Sequence, residues 1–252
     1  MKYRFWLIGL LSIVCLSFVA QQPSTMTPPD SRCFEMRIYF PHPGKMNDLL
    51  ARFRNHTTKL FEKHGMTNIG YWVPQGKPDS VLIYVLAYPS REARDASWKN
   101  FGADPEWKKV QSESEANGKL VAKVETKFMK TTDFSQNDFS SVGNRVFELR
   151  TYKTTPYNLG LLLARFRNHT CKIFEKHEMT NLVYWTQDGT DDMLIYLLAH
   201  KSKEAGLASF KSFRDDPDWI AARTASEKLA NGSLTISVQS EYLVPTDFST
   251  WK

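Results

Sequence analysis

The residues best suited to chemistry come in matched pairs. Glu35, Arg37 and Tyr39 occupy alternate positions, and so do Glu148, Arg150 and Tyr152. In an extended strand this spacing projects all three side chains from one face. Glutamate and arginine at i and i+2 can pair with each other, whereas an unpaired arginine can hold a carboxylate or phenolate. Tyr84 and Tyr196 can orient a ligand or supply a phenolic proton, and Trp72 and Trp185 can form an aromatic wall. Together these residues make a candidate cavity wall for a small organic ligand. The competing reading is a structural ion pair with interface aromatics around it. His64 and His177 each end a helix-like stretch, where the helix dipole favours an imidazolium by up to about 2 kcal/mol. They are candidate acid/base groups, or else capping histidines. His56 and His169 lie in a repeated NHT string with no carboxylate at i+3 or i+4, so no metal and no cofactor is expected.

These pairs exist because the chain is one module written twice. ARFRNHTTKLFEKHGMTN at Ala51–Asn68 returns as ARFRNHTCKIFEKHEMTN at Ala164–Asn181, an offset of 113 residues. The eighteen aligned positions differ at three: Thr58/Cys171, Leu60/Ile173 and Gly65/Glu178. The strings FEMRIY/FELRTY, VLIYVLAY/MLIYLLAH, DPEW/DPDW and TDFS/TDFS follow in the same order. One residue is lost before the VLIYVLAY-like segment, and two are gained near Lys228–Leu229. A period this long indicates a duplicated domain, not a solenoid. The expected modules are residues 32–135 and 145–250, joined by 136–144.

Within a module, Phe34, Met36, Ile38 and Phe40 alternate with polar residues, the pattern of a half-buried strand. Met46, Leu49, Leu50, Phe53, Thr57, Leu60, Phe61 and His64 follow a 3.6-residue period and share a helix face, and Gly65 supplies a stop. Two apolar strands come next. A helix over Arg91–Asn100 follows, then a second beginning at Asp104-Pro105, and a closing strand over Leu120–Lys130. The order β-α-β-β-α-β is the ferredoxin-like unit, an α+β fold with both helices on one sheet face. The apolar face of the first strand is expected to meet those helices. The Glu-Arg-Tyr face is expected to point away, so that two sheets face each other and enclose a cavity.

FELRTY, a helix carrying LLxRF, KHxMTN, an aromatic strand and LIYLLA together resemble the NIPSNAP family, within the dimeric α/β-barrel superfamily. The resemblance covers nearly all of both modules. It implies two tandem ferredoxin-like modules joined as an intrachain dimeric α/β-barrel around a central cavity. Superfamily relatives include cofactor-free monooxygenases, small-ring isomerases and haem enzymes. The NIPSNAP branch has no well-defined activity and is described through membrane traffic and mitochondrial roles. Two departures concern helix ends: Pro43-Gly44-Lys45 becomes Pro156-Tyr157-Asn158, and Gly65 becomes Glu178, on paper a weaker stop.

Residues 1–20 read as a secretory signal peptide, with Lys2 and Arg4 ahead of the uncharged, mostly apolar Phe5–Ala20. The segment is short for a bilayer span, so no stable membrane span is expected in the mature chain. Residues 21–31 read as a flexible lead-in. A periplasmic or secreted location follows. A lipid anchor through Cys15 is disfavoured, because Val14 stands where a small residue is usual. Removing Lys2 and Arg4 lowers the formal charge from +6 to +4, with both signs interleaved, so no nucleic-acid partner is expected. Cys33 and Cys171 have Val146 and Thr58 as repeat-mates, and a bridge between them is permitted but not part of the duplicated design. No GxSxG, HExxH, CxxC, GxGxxG or P-loop string occurs.

Two functional readings stay open. The favoured one is an exported small-molecule-binding or scaffold protein without established catalysis, for which a further homo-oligomer is open. The other is a cofactor-independent enzyme, monooxygenase- or isomerase-like, acting on a small aromatic or acidic molecule.

Overall fold

A computed structural model describes residues 30–136 and 143–252. The expected signal peptide, most of the lead-in and most of the linker lie outside the described residues. Each module has the expected order. In the first, β1 (Cys33–Pro41) leads into α1 (Met46–Arg52), a π-helical turn (Phe53–Thr57) and α2 (Thr58–Lys63). Strands β2 (Thr67–Pro74) and β3 (Leu82–Tyr88), helices α3 (Arg91–Ala103) and α4 (Pro105–Ser114), and β4 (Val121–Thr131) complete it. The second module repeats this as β5 (Val146–Thr154), α5 (Leu159–Arg165), a π turn (Phe166–Thr170) and α6 (Cys171–Lys176). It continues with β6 (Thr180–Gln187), β7 (Met193–His200), α7 (Lys203–Arg214), α8 (Pro217–Leu229) and β8 (Thr235–Pro245).

The eight strands close into one barrel in the order β1-β3-β2-β8-β5-β7-β6-β4. Two short antiparallel seams join the modules. Met129, Lys130 and Thr131 of β4 pair with Gln187, Thr186 and Trp185 of β6, and Trp72, Val73 and Pro74 of β2 pair with Pro245, Val244 and Leu243 of β8. Closure leaves no free sheet edge.

The barrel interior is a core in its own right. Phe34, Met36, Trp72, Ile83 and Val85 meet Phe147, Leu149, Trp185, Ile195 and Leu197 inside it. Trp72 packs on Phe147 with ring centroids 5.5 Å apart, and Trp185 packs on Phe34 at 5.8 Å, so each tryptophan crosses to the other module. Trp251, whose repeat-mate position lies outside the described residues, is fully buried in the same cluster. The helices cover the opposite face of each half-sheet, where Leu49, Phe53, Phe61, Tyr71, Tyr84 and Phe101 pack together. Both faces of β3 are therefore buried along its whole length.

The first strand faces the opposite way to the expectation. Its Phe34-Met36 face lines the barrel, and its Glu35-Arg37-Tyr39 face meets the helices. Pairing fixes this: Arg37 sits opposite Tyr84, and Tyr84 sits opposite Tyr71, all on the helix side. The physical reason is that the barrel interior, shared by both modules, must be apolar throughout, whereas the helix layer can offer hydrogen-bonding partners.

The helix face assigned to residues 46–64 is otherwise as expected, with Met46, Leu49, Phe53, Thr57, Leu60 and Phe61 buried. The repeated FRNHT string is the π turn in both copies. Thr57 Oγ1 donates to the Arg52 carbonyl at 3.2 Å, and Asn68 Nδ2 donates to the Thr58 carbonyl at 3.1 Å, satisfying groups that the turn frees from the helical ladder. Glu178 preserves the helix stop of Gly65, with φ of +58° against +76°, at the strain a side chain incurs in that conformation.

The TDFS strings are reciprocal clasps. Asp247 receives a two-pronged bond from Arg54 of the first module at 2.6 and 2.7 Å, and Asp133 receives one from Arg167 of the second at 2.7 and 2.6 Å. Ser249 Oγ accepts from the Tyr71 amide at 2.9 Å, and Ser135 Oγ from the Tyr184 amide at 3.1 Å. Phe248 and Phe134 pack beside Tyr71 and Tyr184.

Candidate functional site

The structure divides the sequence-derived cavity wall between two environments. Trp72 and Trp185 lie in the barrel interior, while Glu35, Arg37, Tyr39 and Tyr84, with Glu148, Arg150, Tyr152 and Tyr196, lie under the helices. Among the described residues the ten are therefore split between the barrel interior and the helix layer.

Glu35 is fully buried and its carboxylate is saturated. Oε1 accepts from Arg37 Nη1 at 2.7 Å and Arg94 Nη2 at 2.6 Å. Oε2 accepts from Arg94 Nε at 3.0 Å, Tyr88 OH at 2.9 Å and Trp98 Nε1 at 3.1 Å. Burial alone would raise the Glu35 carboxyl, but the Arg94 and Arg37 guanidiniums outweigh it and hold it below its ordinary value. Arg37 Nε donates to Tyr84 OH at 3.0 Å, and its guanidinium lies 4.3 Å over the Trp98 ring. A carboxylate with five donors is in no position to take a proton from a substrate.

The second copy reaches the same end differently. Glu148 accepts from Arg150 Nη1 at 2.5 Å, from His200 Nε2 at 2.9 Å and from Ser240. Arg94, Tyr88 and Trp98 are replaced by Gly206, His200 and Phe210. A Cβ on Gly206 would lie 2.8 Å from Tyr242 OH, so the missing side chain is what admits Tyr242 beside His200.

His64 and His177 join helices. His64 Nε2 meets Asp104 Oδ2 at 2.7 Å, and His177 Nε2 meets Asp216 Oδ2 at 2.7 Å. Asp104 caps α4 through the Glu106 amide at 2.8 Å, and Asp216 caps α8 through the Asp218 amide at 2.8 Å. Lys63 and His64 draw the Asp104 carboxyl well below its usual range, as Lys176 and His177 do for Asp216. His56 and His169 stay on exposed helix surface, and among the described residues no cluster of three or more His, Cys, Asp or Glu side chains gathers for a metal. Cys33 and Cys171 are both free, and burial pushes the Cys171 thiol up to about 12.

A cleft of about 480 Å³ opens on the first module between the helix layer and β4. Trp98, Phe101, Trp107 and Phe53 form its aromatic side, Val121–Val124 its strand side, and Tyr39 closes one end. Tyr39 is the member of the Glu-Arg-Tyr stripe that reaches it, held by Arg37 Nη2 at 3.4 Å. Arg52 lies 5.2 Å over the Trp107 ring and donates to Glu115 at 2.9 Å, and Lys119 and Lys123 add positive charge to the lining. Sequence reasoning passed over Arg52, Trp98 and the α4 residues. The available signal was the i, i+4 spacing of Arg94 and Trp98 on the predicted helix.

The NIPSNAP family model matches residues 34–136 and again 147–250, most of the chain. The chain belongs to the NIPSNAP family. As a NIPSNAP chain it is 24% identical over 231 residues to Protein NipSnap homolog 3A of Pongo abelii, covering 88% of this chain and 87% of that one. It is 25% identical over 221 residues to Protein NipSnap homolog 3B of Mus musculus, covering 87% and 85%. Among solved structures, a monooxygenase candidate from Fusobacterium nucleatum superposes with a TM-score of 0.54 at 11% identity, covering 85% of this chain and 92% of that one. An anthrone oxidase-like protein superposes at 0.50 with 13% identity, covering 88% and 94%. At these identities the two structures establish a shared dimeric α/β-barrel fold.

Proposed function

We propose that this NIPSNAP chain is a small-molecule-binding protein whose ligand site is the first-module cleft. One observation carries the reading: a cleft of ligand size whose aromatic wall sits beside Lys119, with Arg52 and Lys123 already held by Glu115 and Glu125. Aromatic rings favour a flat apolar body and the Lys119 ammonium favours an acidic group, so the ligand class is an organic anion with an aromatic or apolar body. The second module does not offer the same lining. Trp98, Gly102, Lys119 and Lys123 have Phe210, Arg214, Ser233 and Ser237 as repeat-mates.

Gly102 tests this reading. It lines the cleft, and a Cβ there meets nothing within 4 Å. Gly102→Phe fills the space and removes a helix-weakening glycine. Titration with an anilinonaphthalene sulfonate, an aromatic anion, should show saturable binding that the substitution weakens about tenfold or more, a loss of about 1.4 kcal/mol. Thermal stability should be unchanged or higher. Equal dye affinity in both proteins refutes the assignment.

The proposal includes export to the periplasm or medium, supported by Lys2, Arg4 and the apolar stretch after them. Amino-terminal sequencing of the mature chain tests that part. Among the described residues no helix is long and apolar enough to cross a membrane.

A further inference from the structure

Arg52 and Arg165 are repeat-mates, and each is 6% exposed. A buried guanidinium requires a compensating acceptor. Arg52 has one, since its Nη1 donates to Glu115 Oε1 at 2.9 Å. Arg165 does not. Its Nη1 reaches only the neutral Ser226 Oγ, at 3.2 Å, and no carboxylate lies within ion-pair distance of it among the described residues. Nε lacks a partner in both copies, so the difference between them is the carboxylate.

The cause is legible in the sequence. Glu115 is the C-cap of α4, at φ −104° and ψ 9°, beyond the last helical residue and turned towards Arg52. In the second copy the two extra residues near Lys228–Leu229 continue α8 through Leu229. Glu227, the repeat-mate of Glu115, therefore stays in helical register and pairs with Arg223 one turn back at 3.0 Å. Arg223 stands where the first module has Gln111. The Trp219 ring covers the Arg165 guanidinium at 4.9 Å, and burial holds that guanidinium below its ordinary value.

We propose that Arg165 anchors an oxyanion-binding site in the second module, where a carboxylate or phosphate group takes the place that the Glu115 carboxylate holds in the first. The buried, unpartnered Nε beside the Nη donors is the fork that such a group engages with two oxygens. This site stands apart from the first-module cleft and does not depend on it.

The test is thermal unfolding of the full chain in sodium phosphate, sodium acetate and sodium chloride at matched ionic strength. Phosphate should raise Tm along a saturating curve, unlike the steady rise caused by salt exclusion from the surface. Saturation in acetate as well assigns the site to carboxylates and phosphates alike, and saturation in phosphate alone assigns it to phosphates. Arg165→Gln removes the guanidinium and should abolish the saturating response to phosphate. Glu227→Gln breaks only the neighbouring Arg223–Glu227 pair, and should keep the response. Glu115→Gln should create a second saturating response. Identical melting in all three salts overturns the proposal, as does an undiminished phosphate response in Arg165→Gln.

Discussion

Glu35 shows how much a single residue depends on its face. Glu35→Gln would leave Arg37 without its carboxylate and the half-buried Arg94 with Asp95 alone, and should cost about 3–5 kcal/mol, read as a shift in the urea unfolding midpoint. The pH dependence has a definite sign. Glu35, Glu148, Asp133 and Asp247 all titrate below their ordinary values when folded. Their contribution is therefore full above the unfolded values of 4.5 and 3.8 and is lost as pH falls through the lower folded values. Melting temperature should hold level above about pH 5 and drop steeply below about pH 4. A drop beginning near pH 6.5 would instead implicate the histidines. The composition of the Glu-Arg-Tyr stripe was legible in the sequence. Its direction was not, because period-2 alternation separates two faces without saying which one meets the helices. The usual inference from polarity fails in a barrel wrapped by helices, since both faces are interior.

At the scale of elements, the strands and helices could be read from alternation, the 3.6-residue period and the Asp-Pro helix starts. The π turn could not, because FRNHT keeps ordinary helical spacing and its bulge is fixed by Asn68 and Asn181, ten residues past the carbonyls they cap. Asn68→Ala should cost about 1–3 kcal/mol, because it leaves a buried Tyr71 hydroxyl as well as the Thr58 carbonyl without a partner. Leu49→Ala should cost about 2–5 kcal/mol as a large-to-small change in the helix-side core. Strands β2 and β6 share an irregularity at the same place, but β2 carries Gly70 there and β6 carries Val183. The Trp72 indole lies over Gly70, so Gly70→Ala forces that ring to move and should destabilise by about 1–3 kcal/mol, although the repeat-mate at this position is Val183. Calorimetry of these three variants ranks the helix-side core, the π turn and the barrel lining against one another.

For the whole molecule, duplication was plain in the sequence, and so was the need for two half-sheets to cover each other. The TDFS strings were visible as repeats but silent about purpose. A clasp that reaches the other module pairs residues 193 positions apart for Arg54–Asp247 and 34 apart for Arg167–Asp133, which no local pattern reveals. Much of the sequence identity between the copies is thus spent on clasps, π turns and helix junctions. The differences fall on Arg94/Gly206, Trp98/Phe210, Gly102/Arg214 and Gln111/Arg223, where the two helix-side surfaces acquire distinct chemistry. A separated first module would expose Phe34, Met36 and Trp72 and should self-associate in light scattering. The most direct measurement on the account is a crystal structure of the chain soaked with an anilinonaphthalene sulfonate. Ring density is expected between Trp98, Trp107 and Val121–Val124, outside the barrel. Density for the rings inside the barrel, among Trp72, Trp185 and Trp251, would contradict it.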